Sequence, residues 1–505
     1  MADLLPEMIG KPQVPKMDAS EEDWEELYSS LISQMVPSRD EIVRATPAYR
    51  VLQCMGRPLR VRGGELYALS CPTTRIASFW SHSWHGPTWF KILTLFAVKN
   101  GMAAAALSTT SAVLMGILYS AGALPDFFGQ LGWCSFIAAV TYSCTFVLWQ
   151  NRQPVFVDRI CIPTYDETIK GEALISLGAF LKCADSMLVL WDPSFMDRLW
   201  CMFEIGAFLH SRKRGRKPLL TIRPTVLGPM VVAIVAELVL INAILTFSWR
   251  WIGALKEFYL AVFALCSVPM VLLIHAGRGY CRKIAKLQED MAHFNIENLT
   301  SYCCTVDHKD PSTGDVMHCD RKIIMQCIRT WFGNAQAFEQ RVQSEVLQFM
   351  VDQLSNEVFS YRQAVAMTTP VFWGYLDYGF DWILRGNNST AVHNFIRGLT
   401  YMFAVSPTLL LLYFRLAYWV RRQRSGLLDP LVSILIFLAG SGFFLVHAVY
   451  DVLLFTVIFP ETRILAGVLF SIPAFSLAGL VWRTIPPIAL HRSSEEVLSP
   501  RPHAS

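Results

Sequence analysis

The chain has 505 residues, of which 53% are apolar and only 17% are charged, whereas soluble domains usually carry about 25% charged residues. Its mean hydropathy is +0.36, and several apolar windows reach about 20 residues, enough to cross a bilayer core. The net charge of +4 is too small to indicate a nucleic-acid partner. The composition predicts a multi-pass α-helical membrane protein in contact with the lipid bilayer, and its 13 scattered cysteines predict no disulfide framework.

Residues 1–73 form a predicted cytosolic N-terminal region. They begin without an apolar signal segment, so the first span is expected to act as its own insertion signal. The stretch 20–36 has the pattern of an amphipathic helix, with apolar residues on one face and acidic residues on the other. This helix either docks on the protein's own soluble domain or lies on a membrane or a partner, and its acidic face disfavours an anionic membrane.

Residues 74–101 have the pattern of the first strand and first helix of a soluble α/β domain. The helix runs directly into a predicted transmembrane hairpin over 102–149. Residues 150–225 then return to a soluble pattern in which apolar strands alternate with helices. The predicted strands there are 154–162, 186–192 and 217–224, and the predicted helices are 164–184 and 193–215.

The alternation over 74–101 and 150–225 predicts a small parallel sheet with helices on both faces, interrupted by the first transmembrane hairpin. In such sheets ligands bind outside the carboxyl ends of the strands. Polar residues stand at three of these ends, namely Ser81, His82, Ser83 and Trp84 at the first strand, Asp158 and Arg159 within the second strand, and Asp192 after the third.

A second transmembrane hairpin is predicted over 226–276, and residues 277–363 form a predicted cytosolic helical region. That region contains several side chains of the types that bind zinc, namely Cys303, Cys304, His308, His318 and Cys319. Their spacing matches no common zinc finger, and adjacent cysteines do not easily share one ion. The sequence therefore favours an irregular loop here and predicts no metal.

A C-terminal transmembrane bundle is predicted over 364–483, followed by a cytosolic tail over 484–505. Three segments of the bundle are clear spans, namely 395–419, 431–456 and 463–483. A fourth segment, 364–385, is a weak candidate because it carries two aspartates and a proline. It is either an additional span or a re-entrant or interfacial helix.

The basic residues that flank the spans decide between seven and eight crossings. The segments 212–217, 278–286 and 421–424 are rich in Arg and Lys, so the positive-inside rule places all three in the cytosol. The last two can share one side of the membrane only if 364–385 also crosses it. Two overlapping N-glycosylation sequons behind 364–385 suit the opposite side. The sequence therefore favours eight spans, with both termini cytosolic.

Three pieces of the soluble pattern together resemble a TIR-like domain, close also to the heterokaryon-incompatibility type. They are "WSHSW" (80–84), "FVDRICIP" (156–163) and "SMLVLWDPSFMDRLWCMFEIGAFL" (186–209). In that superfamily the third strand leads into a helix bearing Trp-Cys-x-x-Glu, which Trp200, Cys201 and Glu204 match. The whole layout is similar to uncharacterised multi-pass membrane proteins of dinoflagellate algae. The resemblance implies a flavodoxin-like fold, from which this chain departs by the inserted spans.

Glu204 is the candidate catalytic residue that the resemblance implies, because the matching glutamate of catalytic TIR domains supports cleavage of the nicotinamide–ribose bond of NAD. A fixed carboxylate would stabilise the positive charge of that transition state. Alternatively, Glu204 is a structural lock that pairs with Arg159 or accepts backbone N–H bonds. Either role places it within hydrogen-bond reach of a polar group from 80–86 or 155–160. The candidate substrate-binding residues are Ser81, His82, Trp84, Asp158, Arg159 and Trp200.

Three functions remain open, and none of them requires a bound cofactor. The leading interpretation is a membrane-anchored TIR-like signalling module that self-associates. The first alternative is an NAD glycohydrolase with NAD as its substrate. The second is a transporter or channel with a cytosolic sensing domain, for which Glu237 and Asn242 inside the third span are candidate residues. An open pocket at Glu204 would favour the enzyme, a filled pocket the module, and a polar path through the spans the transporter.

Overall fold

The computed structural model describes residues 21–61, 66–125, 132–163, 165–212, 219–251, 256–309, 314, 316 and 318–488. Three parts of the sequence predictions lie outside the described residues, namely the chain before residue 21, most of the basic segment 212–217 and the tail from 489. Within the described ranges, six long apolar helices and a small mixed sheet make up a multi-pass membrane fold.

The sheet has six strands in the order β2-β1-β4-β3-β5-β6. The strands are β1 Arg44–Pro47, β2 Cys71–Pro72, β3 Ser78–His82, β4 Pro154–Phe156, β5 Met187–Trp191 and β6 Leu220–Pro224. The four strands β3 to β6 are parallel, as predicted, and their order β4-β3-β5-β6 follows the flavodoxin-like pattern. The sequence did not indicate β1 and β2, which add an antiparallel edge and make the sheet mixed.

The second predicted strand, 154–162, is wrong beyond Phe156. The backbone N–H groups of Ile160 and Cys161 donate to the Val157 carbonyl, which closes a helical turn where a strand was expected. The Asp158 carboxylate accepts the N–H of Arg159 at 2.8 Å, a local bond that competes with strand pairing. Asp158 and Arg159 therefore lie in a turn at the carboxyl end of β4 and not within the strand.

Some helices pack on the sheet, and the others form the apolar bundle. In chain order they are α1 Glu21–Ser33, α2 Ala48–Arg60, α3 Thr88–Ser120, α4 Trp133–Leu148, α5 Asp158–Cys161, α6 Glu167–Ile175, α7 Leu177–Cys183, α8 Leu199–His210, α9 Leu227–Trp251, α10 Lys256–Ala292, α11 Tyr302–Thr305, α12 Asp320–Phe332, α13 Ala335–Arg341, α14 Leu347–Val351, α15 Tyr361–Leu384, α16 Asn388–Thr400, α17 Ser406–Trp419, α18 Leu428–Leu453 and α19 Arg463–Thr484. The single helix predicted over 164–184 is two helices, α6 and α7, which meet at Ser176.

Six helical segments of the described residues are long and apolar enough to cross a membrane. They are α3, the part Leu227–Leu245 of α9, the part Ala264–Ala292 of α10, the continuous pair α16 and α17, the segment Leu428–Ile458 that contains α18, and α19. In the second half of the predicted hairpin 102–149 lies the 16-residue helix α4, which packs along α3. Large apolar side chains of α18 and α19 are exposed, as lipid contact requires.

Helix α15, the weak segment predicted at 364–385, lies in the middle of the bundle. It packs against α3, α4, α9, α16 and α17, and 14 of its 24 residues are buried. One of its aspartates, Asp377, accepts the backbone N–H groups of Cys134 and Ser135 at 2.8 and 3.1 Å and so caps the start of α4. The two aspartates of α15 and its adjacent threonines at 368 and 369 are buried.

The sheet and the bundle are joined through continuous helices. Helix α3 has 33 residues and therefore spans about 50 Å, long enough to begin beside the sheet and end in the bundle. Its Thr94 hydroxyl donates to the Thr225 carbonyl at 2.8 Å and accepts the Gly228 N–H at 2.9 Å. A Cβ on Gly228 would lie 2.1 Å from the Thr94 nitrogen, so only glycine allows α9 to approach α3 this closely.

The helical region 277–363 packs against the sheet and holds both described ends of the chain. The Trp331 indole donates to the Ser33 carbonyl at 3.0 Å, which docks the amphipathic helix α1 on α12. Near the other end, the Ile488 N–H donates to Asn356 at 2.8 Å. The side chain of Gln353 pairs with the backbone of β6 and closes that edge of the sheet.

The basic segments 278–286 and 421–424 lie side by side. Buried Arg278 forms an ion pair with Asp429 at 2.8 Å and also donates to the Arg422 carbonyl at 3.3 Å. Arg282 donates to the Arg421 carbonyl at 3.2 Å. The two basic segments are therefore in direct contact with each other.

Candidate functional site

Glu204 lies where helix α8 crosses the carboxyl half of strand β3. The hydroxyl of Ser81 donates a short hydrogen bond to Glu204 Oε2, and Ser81 itself is buried. Ser81 points to the face of β3 on which α8 packs, because alternate residues of a strand point to opposite faces of the sheet. The expected hydrogen bond from 80–86 to Glu204 is therefore confirmed, and it fastens α8 to the sheet.

The surroundings of Glu204 favour its neutral form. Burial raises the pKa of Glu204 from its ordinary value of 4.5 to about 8, the hydrogen bond from Ser81 opposes this rise, and the charge of Asp158 adds to it. At neutral pH the carboxyl group is consequently mostly protonated. A neutral carboxyl group can accept the hydrogen bond from Ser81, but it lacks the negative charge that an oxocarbenium-like transition state requires.

The predicted residues His82, Trp84 and Arg159 form an aromatic and cationic cluster, and His82 points to the face of β3 opposite to Ser81. The rings of His82 and Trp84 meet edge to face at 4.5 Å. The Arg159 guanidinium lies 5.1 Å above the Trp84 ring and donates to the Leu59 carbonyl at 3.2 Å. Burial lowers the pKa of His82, which leaves its imidazole neutral. Trp84 is 48% exposed.

A polar network fills the crevice between the carboxyl ends of β3 and β5, where the strand order reverses and ligands of such sheets normally bind. Ser83 and Ser194 are joined through their hydroxyl groups at 2.8 Å. Asp192 accepts the Ser194 N–H at 2.9 Å. Buried Lys91 donates to the Ser83 carbonyl and lies 4.0 Å from the Asp192 carboxylate. A Cβ on Gly86 would lie 2.4 Å from that carboxylate, so the loop after β3 packs directly against Asp192.

The space that remains beside this network is small. Its cavity has a volume of about 20 Å³, comparable with the room for one water molecule, whereas small-molecule sites usually offer about 300–1,000 Å³. The cavity is lined by Leu59, Trp80, His82, Trp84, Thr88, Lys91, Leu95, Val157 and Leu190. A larger open cleft of about 620 Å³ lies between α1 and α12.

Trp200, the last predicted substrate-binding residue, lies apart from this crevice. Its indole N–H donates to the Asp320 carboxylate of α12 at 3.1 Å, and its ring packs edge to face on Phe203 at 5.4 Å. Sequence reasoning missed Lys91 and Ser194 altogether. The signal for Lys91 was a single charged residue in the apolar start of α3, and its role depends on Asp192, a hundred residues away in sequence.

The candidate transport residues occur among packed helices. Glu237 is buried in α9, and the Asn242 amide donates to the Pro370 carbonyl of α15. A cavity of about 50 Å³ lies among these helices, and apolar side chains of α9, α10 and α17 form most of its lining. Glu237 does not line it.

Comparisons of the chain with protein-family models, with curated proteins and with solved structures gave no significant match.

Proposed function

We propose that the chain is an integral membrane protein that presents a TIR-like α/β domain to the cytosol as a signalling and interaction module, and that this domain does not cleave NAD. The observation that carries the proposal is the filled crevice between β3 and β5. Ser194 donates to the Asp192 carboxylate there, Lys91 lies 4.0 Å from the same carboxylate, and the cavity lined by Lys91 has a volume of about 20 Å³. A dinucleotide does not fit that volume.

The protonation of Glu204 supports the same assignment. The NAD glycohydrolase alternative needs an ionised carboxylate, yet burial raises the pKa of Glu204 to about 8. A protonated Glu204 that accepts the Ser81 hydroxyl locks α8 against β3 and suits a structural role. The transporter alternative has less support, because the cavity among the spans is apolar.

The contacts of the basic segments support a cytosolic domain. Arg278 and Arg282 bond to carbonyl groups of the loop 421–424, so the two basic segments share one side of the membrane, and the positive-inside rule favours the cytosolic side. The helices docked on the sheet connect to that same side through α10. We therefore assign the sheet, α1 and the segment near Ile488 to the cytosolic face, with eight crossings.

Self-association through one exposed surface is the interaction that we propose. We call this surface the tryptophan–arginine patch, which consists of Trp84, Trp89, Arg60 and Arg159. Trp84 and Trp89 are 48% and 46% exposed, and Arg159 and Arg60 lie 5.1 and 4.7 Å above their rings. Tryptophan and arginine are the residues most enriched at interface hot spots. Asp158 beside Arg159 adds the opposite charge, so two copies related by a twofold axis can pair these groups.

Co-purification of two differently tagged full-length chains from detergent tests this proposal. We expect the chains to associate, and Trp84→Ala together with Trp89→Ala to lower the associated fraction about tenfold or more, as the loss of a hot spot predicts. Trp149→Ala serves as a matched control, because Trp149 is similarly exposed but lies outside the patch. Association that is equally strong in the double variant, or a strictly monomeric parent, would contradict the proposal.

A further inference from the structure

The loop between α10 and α12 brings four metal-ligand side chains together. The ligand atoms of Cys303, Cys304, His308 and Cys319 all lie within 4.8 Å of one another. The Cys304 sulfur is 3.8 Å from the Cys303 sulfur, 3.7 Å from His308 Nε2 and 4.0 Å from the Cys319 sulfur. These separations far exceed the disulfide length of about 2.05 Å, so the four groups converge without a covalent bond.

The three separations from the Cys304 sulfur match the edges of a tetrahedral zinc site. Zinc binds cysteine sulfur at about 2.3 Å and histidine nitrogen at about 2.0–2.1 Å. In a tetrahedron those lengths place two sulfur ligands about 3.8 Å apart and a sulfur and a nitrogen ligand about 3.6 Å apart. The measured contacts of Cys304 agree with these edges to within a few tenths of an ångström. We propose that Cys303, Cys304, His308 and Cys319 bind one zinc ion.

The backbone explains how an unusual spacing converges on one point. The short helix α11 places Cys303 and Cys304 side by side. Asp307 and His308 then adopt left-handed φ angles of 51° and 57°, and the His308 N–H donates to the Cys303 carbonyl at 2.8 Å. This reversal turns the imidazole back onto the thiols. Cys319 arrives from the other side, directly before α12.

Neighbouring groups support the same ligand set. The Ser301 hydroxyl lies 3.2 Å from the Cys303 sulfur and can donate to its thiolate, as groups around metal ligands commonly do. An antiparallel bridge between Lys309 and Val316 closes the loop that separates His308 from Cys319. The remaining candidate, His318, packs its ring on Tyr28 at 5.5 Å and lies outside the cluster.

The site has four protein ligands, which is the pattern of a structural zinc ion and not of a catalytic one. Its flanks are bonded to the helix that carries Glu204. Thr300 exchanges backbone hydrogen bonds with Asp197 and Leu199 just before and at the start of α8. On the other flank, Asp320 accepts the Trp200 indole N–H. The zinc ion would thus fasten the helical region 277–363 to the sheet, whichever function the domain has.

Metal analysis of the full-length chain tests the proposal. The protein is purified in detergent under reducing conditions, without a polyhistidine tag or chelator, and its zinc is quantified by mass spectrometry. We expect about one zinc ion per chain. Cys304→Ser and His308→Ala should remove most of it, whereas His318→Ala, a histidine of the same loop, and Cys71→Ser, a cysteine outside the cluster, should retain it.

Cobalt substitution keeps the test decisive even if Cys304→Ser does not fold. Parent protein stripped with a chelator and then given Co²⁺ should develop the visible absorption of a tetrahedral ion together with a thiolate-to-cobalt charge-transfer band, and zinc should abolish both. Two results would overturn the proposal: a parent that carries no stoichiometric zinc and gives no tetrahedral cobalt spectrum, or a folded His308→Ala variant with unchanged zinc content and an unchanged spectrum.

Discussion

Replacing Glu204 by glutamine should change how the stability of the protein depends on pH. In the folded chain the pKa of Glu204 is about 8, against an ordinary value of 4.5. Between these values the folded state holds a proton that the unfolded state releases. The contribution of protonated Glu204 to the free energy of unfolding is therefore complete below about pH 4.5. It is lost as the pH rises toward 8, with a slope of at most about 1.4 kcal/mol per pH unit.

Glu204→Gln keeps the shape of the neutral acid and cannot ionise. Between pH 5.5 and 8, the free energy of unfolding of the variant should therefore rise relative to that of the parent, by at most a few kcal/mol. All other titrating groups cancel in the difference, because both proteins contain them. Ser81→Ala removes the hydrogen bond that lowers the pKa of Glu204, so it should extend the pH-sensitive range upward.

Melting temperatures of the purified protein in detergent, measured from pH 5.5 to 8.5 by intrinsic tryptophan fluorescence, provide the assay. Glu289→Gln is the control, since Glu289 is exposed and its replacement should leave the pH dependence of the parent unchanged. A difference between Glu204→Gln and the parent that stays constant with pH would refute the reasoning. A variant that becomes the less stable of the two as pH rises would refute it more strongly, because it would mean that a partner holds Glu204 ionised.

Three further substitutions test the packing that positions the site, each by thermal melting in detergent. Gly228→Ala should be strongly destabilising, because its methyl group would lie 2.1 Å from a backbone nitrogen of α3, whereas Gly101→Ala, with no neighbour within 4 Å, should be tolerated; equal effects would contradict this. Gln353→Leu leaves two backbone groups of β6 unpaired and should cost about 2 kcal/mol or more, while exposed Gln348→Leu should be nearly neutral. Arg278→Met should cost about 1.5–3 kcal/mol, because it removes the 2.8 Å ion pair of buried Arg278 with Asp429, while Arg282 at 3.6 Å still pairs with that carboxylate; a variant as stable as the parent would show that this ion pair does not hold the loop.

The strands were the most predictable part of the fold, because their side chains carry a strong local pattern. The apolar run at β5 is buried along its whole length, and it appears in the sequence without interruption. The second strand was overpredicted because Val157, Ile160 and Ile162 suit a strand, yet Asp158 bonds locally to the next backbone N–H and ends it. Composition alone does not resolve that competition.

The features that sequence reasoning could not establish depend on contacts between distant segments. Helix α15 is only a weak span candidate by hydropathy, and its position among the other helices could not be predicted, because it depends on how its aspartates and threonines are buried against them. The Lys91–Asp192 pair joins residues that no local pattern connects. The spacing of Cys303, Cys304, His308 and Cys319 predicts no metal site, because the left-handed turn at Asp307 and His308 that brings them together contains no glycine by which the sequence would indicate it.

The central claim, that this domain is a module and not an enzyme, is tested most directly by measuring nicotinamide release from NAD. The measurement uses full-length parent protein in detergent, alone and clustered through an antibody against its tag, beside a catalytically active TIR domain in the same detergent. We predict no release above the detergent blank in either state, because the cavity at the carboxyl ends of the strands has a volume of about 20 Å³ and burial raises the pKa of Glu204 to about 8. Release by the parent that Glu204→Gln abolishes at equal folded concentration would contradict the claim.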